Sequence, residues 1–554
     1  MTELSVLVGG RAGDGISNAG AMIAQLFNHM GYFVYMYTDY PSLIRGGHNY
    51  ALVRAADRPV GACNNHIDYL VALNQETVAL HLPQCPDCTF VANEDMVKSL
   101  PRGQAVPVNA ILKEEAAPPI TGNSAMIGAF AKAAGIPWEI VEKVFHRHMQ
   151  KAADENLRVA KRAYTLVQTF RPIPLLSGPA RSLLSGNEAI GLGLAAGGLD
   201  TYIAYPMTPS STLLHFLAGN AEQLGMRVIH PENEIAVILM GLGSAIAGAK
   251  TAVGTSGGGF CLMTEGLSFA GMAEIPIVIV VSQRTGPSTG LPTYTGQADL
   301  RFVLHAGQGE FPRLVAAPAD PGEAYLWSTA ALRLAWKYQI PAFILVDKTL
   351  SEGSYSVDPD RLPDLQVSEP ALWDGQGTYR RYLDAPKGGI SPLAFTGRKN
   401  ATVKINSYAH DEDGITTEEA ALVAKMADKR ARKGEELREE LDRRLPCIST
   451  GGKKDAPVAL LCWGSVGNAC GEVATDLGLR VIRPVVLSPF PDRQFADACA
   501  GVERLIAVEE NATGQLVSLV KEHGRNLDDT ILKYDGRPFS PEELKRRVQE
   551  VLTL

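Results

Sequence analysis

Between Asp200 and Arg284 the chain repeats one pattern four times: a short apolar run stops in a polar or glycine-rich turn. Thr201-Tyr202-Ile203-Ala204 runs into Tyr205-Pro206-Met207-Thr208-Pro209-Ser210-Ser211, and Arg227-Val228-Ile229 into His230-Pro231-Glu232-Asn233-Glu234. Thr251-Ala252-Val253 runs into Thr255-Ser256-Gly257-Gly258-Gly259-Phe260, and Ile275 to Val281 into Ser282-Gln283-Arg284. Short apolar runs separated by helix-length stretches predict the buried strands of a mostly parallel, doubly wound α/β sheet. Ligands in such sheets sit beyond the carboxyl ends of the strands, so the four turns are expected to line one crevice.

Glu234 opens a stretch, Ile235 to Gly243, that is apolar all round and predicts a wholly buried helix. Its carboxyl has two readings, a first-turn acid favoured by the helix N-terminus or a partly desolvated proton carrier. Arg284 leaves a strand apolar enough to be central, so its guanidinium should emerge at the crevice. It serves there either as half of an ion pair or as a bidentate grip on a substrate carboxylate. Thr208, between Met207 and Pro209, presents its hydroxyl on stiff backbone, to a turn or to a ligand. The Thr255–Gly259 run lacks the Gly-Lys-Ser/Thr continuation of a P-loop and points instead to close backbone approach by a ligand.

The remaining chain extends this frame over 554 residues, enough for several domains. We place a first domain at 1–172, a Pro/Gly-punctuated linker at 173–183, the doubly wound domain at 184–355, a looser connecting segment at 356–455 and a last α/β domain at 456–554. The first domain opens as strand, glycine-rich turn, helix and strand (Leu4 to Val8, Gly9 to Gly15, Ser17 to Met30, Tyr32 to Tyr37), a form that suits a phosphate. Its dinucleotide fingerprint stops short, because Asn18 stands where Gly13-Asp14-Gly15 needs a further glycine. The charged helix from Thr417 to Arg444 reads as a solvated face without chemistry. In the last domain Val458 to Cys462, Arg480 to Val486 and Leu505 to Val508 read as strands, and Pro541 to Thr553 as a closing helix.

A net charge of −8 with no basic stripe argues against a nucleic-acid partner. No secretory leader and no apolar run of membrane-spanning length is present, so the sequence reads as soluble, cytoplasmic and without a membrane partner. Eight scattered cysteines with a single C-x-x-C, Cys85-Pro86-Asp87-Cys88, make neither a disulfide framework nor a metal site by spacing alone.

Taken together, Tyr205-Pro206-Met207-Thr208-Pro209-Ser210, Glu234, Thr255-Ser256-Gly257 and the run Gln283-Arg284-Thr285-Gly286-Pro287-Ser288-Thr289-Gly290-Leu291-Pro292-Thr293, with Gln297 and Asp299 after it, resemble the α subunit of 2-oxoacid:ferredoxin oxidoreductases. Gly13-Asp14-Gly15 and Tyr40 to Asn49 resemble the family's γ subunit fused ahead of α. Val508 to Gln515 and Lys533 to Phe539 resemble its transketolase-C-like domain. The resemblance implies a Rossmann-like γ-type domain, a thiamine-diphosphate pyrimidine-binding domain and a transketolase-C-terminal-like domain.

It further implies that Glu234 protonates the aminopyrimidine of thiamine diphosphate, that Arg284 holds the substrate carboxylate and that Thr208 bonds a substrate oxygen. Tyr205, Pro206, Met207, Thr208, Ser256, Gly257 and Phe260 would line the cofactor, and Gly13, Asp14, Gly15 and Arg45 would meet coenzyme A. Thiamine enzymes hold the magnesium diphosphate with a Gly-Asp-Gly and a following Asn-Asn, and no such pair stands at the family's spacing here. The magnesium arm and a four-iron four-sulfur cluster are therefore expected on a β subunit. Ferredoxin would be the electron acceptor, the assembly an (αβ)2 heterotetramer, and no metal ligand is assigned to this chain. Runs Arg45 to Asn49 and Asn406 to Glu412 lean the expected substrate towards 2-oxoglutarate, with pyruvate or a branched-chain 2-oxoacid as the alternative. A nicotinamide-binding module on residues 1–170 and a non-catalytic scaffold for the β subunit are the readings from other classes.

Overall fold

The computed structural model describes residues 2–42, 47–149, 152–358 and 365–553. The chain divides into two compact units. One contains the chain up to Leu184 with short returns at Gly353 and Ser540, and the other begins at Ser185 and takes most of the rest.

The first unit is built on an eight-stranded sheet in the order Gln104–Val106, Thr89–Asn93, Tyr69–Ala72, Glu3–Arg11, His48–Ala56, Phe33–Asp39, Ser354–Val357 and Ser182–Ser185. The expected strand, turn and helix are present as Glu3–Arg11, a turn with Gly13 and Gly15 in left-handed backbone, and Ile16–His29. Instead of a simple β-α-β unit, His48–Ala56 runs antiparallel between the first two strands, with Val53 opposite Val6 on one side and Met36 on the other. An antiparallel return needs only a short connection, which the residues after Asp39 supply, and the apolar periodicity of a strand does not name its neighbour. Gly20 lets the helix lie on this strand, since a Cβ there would sit 2.5 Å from that of Ala51.

The second unit carries two sheets. The larger has seven strands in the order Val486–Ser488, Leu314–Ala316, Pro341–Asp347, Ile277–Gln283, Thr251–Thr255, Thr201–Ala204 and Arg227–Ile229. All neighbours are parallel except Val486–Ser488, which pairs antiparallel with Leu314–Ala316. From Thr201–Ala204 the chain steps to one side for Arg227–Ile229 and then to the other for Thr251–Thr255. The winding therefore reverses between Thr201–Ala204 and Thr251–Thr255, and a crevice opens at their carboxyl ends. The smaller sheet runs Ile448–Gly452, Arg480–Pro484, Val458–Leu461, Arg504–Glu509 and Asp529–Leu532. The sequence predicts one strand over Arg480 to Val486. The structure splits it, sending Arg480–Pro484 to the smaller sheet and Val486–Ser488 to the larger.

The charged helix, Ala420–Arg444, corrects its reading as a solvated face. Lys429 and Lys433 are fully buried, and both ammonium groups bond Glu274, at 2.7–2.8 Å and 2.6 Å. Arg381 closes the cluster by donating to the Glu274 carbonyl at 2.6 Å and to Gln339 Oε1 at 2.7 Å. Burial alone would raise the Glu274 carboxyl, but Lys433, Lys429 and Arg381 together hold it far below the usual carboxylate range. Met426, Leu437 and Leu441 share the buried face, so a helix rich in charge still docks by an apolar stripe with two lysines inside it.

Removing one member of such a cluster leaves the others charged and unpaired. Glu274→Ala is expected to destabilise the chain by about 3–5 kcal/mol, with Lys429→Met and Lys433→Met added to it recovering much of the loss. Thermal or urea melts measure both. Because its folded value is depressed, the stability Glu274 contributes is present above its ordinary value of 4.5 and is lost as pH falls below it.

Candidate active site

At the reversal of the larger sheet, three consecutive glycines form one turn on which two acids lie. Strand Thr251–Thr255 ends in Ser256, and Gly257–Phe260 makes a single helical turn. A Cβ on Gly259 would sit 2.5 Å from Glu234 Oε1 and 2.9 Å from its Cγ. A Cβ on Gly257 would sit 2.8 Å from Asp299 Cγ and 2.9 Å from Oδ1, with Oδ2 nearer still. The close approach read from the glycine run is thus made by two of the protein's own carboxylates. Gly258 between them has open room, its nearest neighbour being the Ser288 carbonyl at 3.8 Å from a Cβ.

Glu234 is the first residue of the helix Glu234–Ile246, which Asn233 caps by accepting the Ala236 N–H at 3.0 Å. Its side chain is buried, and Oε1 has no hydrogen-bond partner among the described residues. The helix itself is not enclosed as the sequence predicts. Val237, Ile238, Gly241, Leu242 and Ala245 face the unit's interior, while Ile235, Leu239 and Met240 are 49%, 51% and 40% exposed. A helix lying on one face of a sheet has only its inner side covered by its own chain. Next to it, Leu262 is also exposed.

Arg284 follows the central strand Ile277–Gln283 directly. It donates from Nη1 to the Thr208 backbone carbonyl at 2.9 Å, and its buried Nε has no partner among the described residues. Burial lowers its basicity, and Asp299 opposes that. The Thr208 contact is therefore made by the carbonyl rather than by the hydroxyl the sequence singled out. Asn187, not anticipated from the sequence, fixes the Thr208 turn by donating to the Pro209 carbonyl at 2.8 Å and the Thr212 hydroxyl at 2.6 Å. Ser256 is fully buried, and its hydroxyl has no partner among the described residues.

The other residues singled out from the sequence divide. Pro206 and Met207 are half-buried in the same turn, and Tyr205 is exposed with its ring against His230 at 5.8 Å. Phe260 departs from its expected place. Its ring is fully buried against Phe302 and Phe343, at 5.0 and 5.4 Å, and supports the turn from the core instead of lining the crevice. In the first unit Gly13, Asp14 and Gly15 form an open turn, closed by the Arg11 N–H donating to Asp14 Oδ2 at 2.8 Å. Gly15 precedes a helix that no side chain caps, whereas Arg45 lies outside the described residues. In the Asn406 to Glu412 run, His410 is buried on the Tyr382 ring and Glu412 is taken by Arg380 and Lys425.

The smaller-sheet domain reaches the site in a way no local pattern announces. Gln297 and Glu510 exchange backbone and side-chain bonds at 2.8 and 3.1 Å, and the Thr295 N–H donates to the Gly536 carbonyl at 3.2 Å. The Arg537 guanidinium lies 3.7 Å from the centre of the Tyr294 ring. The loop that begins at Arg284 is thereby braced from outside its own sheet. Among the described residues there is no group of three or more metal-ligating side chains and no helix long and apolar enough to cross a membrane.

Residues 193–429 match the family profile described as pyruvate flavodoxin/ferredoxin oxidoreductase, thiamine-diphosphate binding, and residues 5–166 match pyruvate ferredoxin/flavodoxin oxidoreductase. The chain is similar to the 2-oxoacid:ferredoxin oxidoreductase subunit alpha of Saccharolobus solfataricus, at 30% identity over 99% of this chain and 98% of the relative. It is also similar to the 2-oxoglutarate synthase subunit KorA of Methanocaldococcus jannaschii, at 28% identity over 66% of this chain and 98% of that one. Among solved structures, the 2-oxoglutarate:ferredoxin oxidoreductase of Magnetococcus marinus, with 2-oxoglutarate, coenzyme A and succinyl-CoA bound, superposes with a TM-score of 0.89. That match is at 28% identity and covers 99% of both chains.

The glycine run gives a graded test of the geometry. Gly257→Ala and Gly259→Ala each force a carboxylate to move and are expected to cost about 1–3 kcal/mol. Gly258→Ala is expected to stay within about 0.5 kcal/mol of the parent in the same urea melts.

Proposed function

Because the chain belongs to the α subunits of the 2-oxoacid:ferredoxin oxidoreductases, which depend on thiamine diphosphate, we propose that Glu234 is the acid that meets the cofactor's aminopyrimidine ring. The observation that carries this reading is its buried Oε1, which lacks a hydrogen-bond partner among the described residues, as does the buried Ser256 hydroxyl. A buried polar atom left without a hydrogen bond costs about 1–3 kcal/mol, and a ring nitrogen at Oε1 would relieve it. Shielded from water, the carboxyl exchanges a proton with that nitrogen more effectively than a solvated acid could. When bound, the cofactor supplies a carbon nucleophile for the 2-oxo carbon and a sink for the electron pair released with CO2.

Tyr205, Pro206, Met207, Ser256 and Gly257 would hold the ring at the reversal of the sheet. Arg284 grips the carboxylate of the 2-oxoacid, its Nη1 already anchored on the Thr208 carbonyl and its Nε free to donate. The Thr208 hydroxyl is left for a second substrate oxygen. We take 2-oxoglutarate as the substrate, a reading supported by the names of the similar subunit and the similar solved structure. Coenzyme A is assigned to the open Gly13-Asp14-Gly15 turn, with Arg45 as a further contact.

The diphosphate, its magnesium and a four-iron four-sulfur cluster are assigned to a β subunit, electrons to ferredoxin, and the assembly to two αβ pairs. The exposed apolar side of the Glu234 helix supports a partner here. Ile235, Leu239 and Met240 form the kind of patch that a second chain covers.

The test uses the complex purified with its β subunit. Glu234→Gln is expected to lower turnover by about 10²–10⁴-fold, and unchanged turnover removes the assignment. Arg284→Met is expected to raise KM for 2-oxoglutarate by about 10–100-fold, losing a charge-assisted pair of bonds.

A further inference from the structure

We propose that Glu510 is a positioning residue for the 2-oxoacid: its buried carboxyl anchors the turn 536–539, and that turn holds the loop after Arg284 in the shape in which the guanidinium meets the substrate. The inference rests on the assignment of Arg284 to the substrate carboxylate, and adds to it a residue of the smaller-sheet domain that acts from a distance.

A chain of contacts carries it. The loop 285–295 is closed on itself by three bonds. The Thr285 N–H donates to the Tyr294 carbonyl at 3.1 Å, the Leu291 N–H to the Thr285 carbonyl at 3.0 Å, and the Thr285 hydroxyl to the Thr295 carbonyl at 2.6 Å. Gly536 lies against this ring in left-handed backbone, with φ at 80°. A Cβ there would sit 3.0 Å from Leu291 Cδ1, 3.2 Å from Tyr294 Cβ and 3.3 Å from the Thr285 hydroxyl oxygen. Thr285 follows Arg284 directly in the chain, so a shift of the turn reaches the guanidinium through one peptide unit. Glu510 fixes the turn's other end by accepting the Phe539 N–H on Oε1 at 2.9 Å. Its backbone fixes the end of the loop, donating to Gln297 Oε1 at 3.1 Å and accepting the Gln297 N–H at 2.8 Å.

An anchor of this kind does not need an acid. The neighbouring Glu509 is also buried, and its oxygens accept from Trp463, Asn511, Leu516 and Val517. Glu510 is 4% exposed, and its Oε2 has no partner among the described residues. An amide would take the Phe539 bond equally well, and what the carboxyl adds is a proton that can leave.

The groups that face it are Asp347 at the end of its strand, Cys470 on the helix Val466–Leu477, and Lys533 and Asp535, which pair with each other at 2.8 Å. Burial and then Asp347, with Asp535 adding to them, push the Glu510 carboxyl up to about 8, and the Phe539 N–H and Lys533 pull it back only in part. Below that pH the carboxyl is neutral and the turn is held. Above it a carboxylate faces Asp347 in a site closed to water, and the turn gives way.

The experiment uses the complex purified with its β subunit. It reads KM and kcat for 2-oxoglutarate from pH 6.5 to 9.5, and amide hydrogen exchange of residues 285–297 and 536–539 at pH 7. In the parent, KM is expected to rise about three- to tenfold as pH passes 8, with kcat changing less. Glu510→Ala is expected to show that higher KM already at pH 7, with faster exchange in both segments. Glu510→Gln, which keeps the acceptor for Phe539 and cannot ionise, is expected to restore the low KM and slow exchange and to hold KM flat to pH 9.5. Parental KM and exchange in Glu510→Ala, or a rise past pH 8 that survives in Glu510→Gln, overturns the proposal while Arg284→Met still raises KM. Should Glu510→Ala fail to assemble, the pH profile of Glu510→Gln decides alone. If Arg284→Met leaves KM unchanged while Glu510→Ala still speeds exchange, the failure lies in the substrate assignment of Arg284, and this proposal falls with it.

Discussion

Two carboxylates lie against one turn of three glycines, and most of the site follows from that contact. Glu234 rests on Gly259 and Asp299 on Gly257, each in space that a Cβ would occupy. The turn can be so stripped only because its flanks are rigid. Thr251–Thr255 is buried before it, and Phe260 wedges into Phe302 and Phe343 after it. A glycine run would otherwise be conformationally loose. The arrangement leaves one of the two acids, Glu234, buried at the reversal of the sheet with an oxygen that has no partner among the described residues.

The sheet's winding brings these parts together. Thr208, Glu234, Ser256 and Arg284 come from four different strand ends, and only the reversal between Thr201–Ala204 and Thr251–Thr255 makes those ends neighbours. The smaller-sheet domain completes the construction through Glu510, Gly536 and Arg537, which hold the long loop after Arg284 in place. A guanidinium on an unsupported loop would lose much of its advantage to motion, since recognition by a planar fork of donors depends on fixed geometry.

Charge and apolar surface are each distributed against simple expectation, and for related reasons. A helix dense in lysine and glutamate buries Lys429 and Lys433 because Glu274 waits inside to pair with them. A helix apolar on every side leaves Ile235, Leu239 and Met240 exposed because it lies on one face of a sheet and no described residue covers its outer side. In the first case the compensating charge is far away in sequence, and in the second the sheet covers only the inner side of the helix.

The sequence alone determined the strands, their apolar cores and the turns that end them, because side-chain periodicity and glycine or proline punctuation act within a few residues. It also pointed to Glu234, Arg284 and Thr208, whose chemistry stands out against apolar neighbours. Tertiary structure decided what those groups touch. It made the Thr208 carbonyl the arginine's partner, turned Phe260 into the core, inserted His48–Ala56 between its neighbours and split Arg480 to Ser488 between two sheets. It alone brought Asn187 and Gly536 into the site. Contacts of this kind depend on which distant segments fold side by side, and neither local propensity nor the spacing of residues along the chain carries that information.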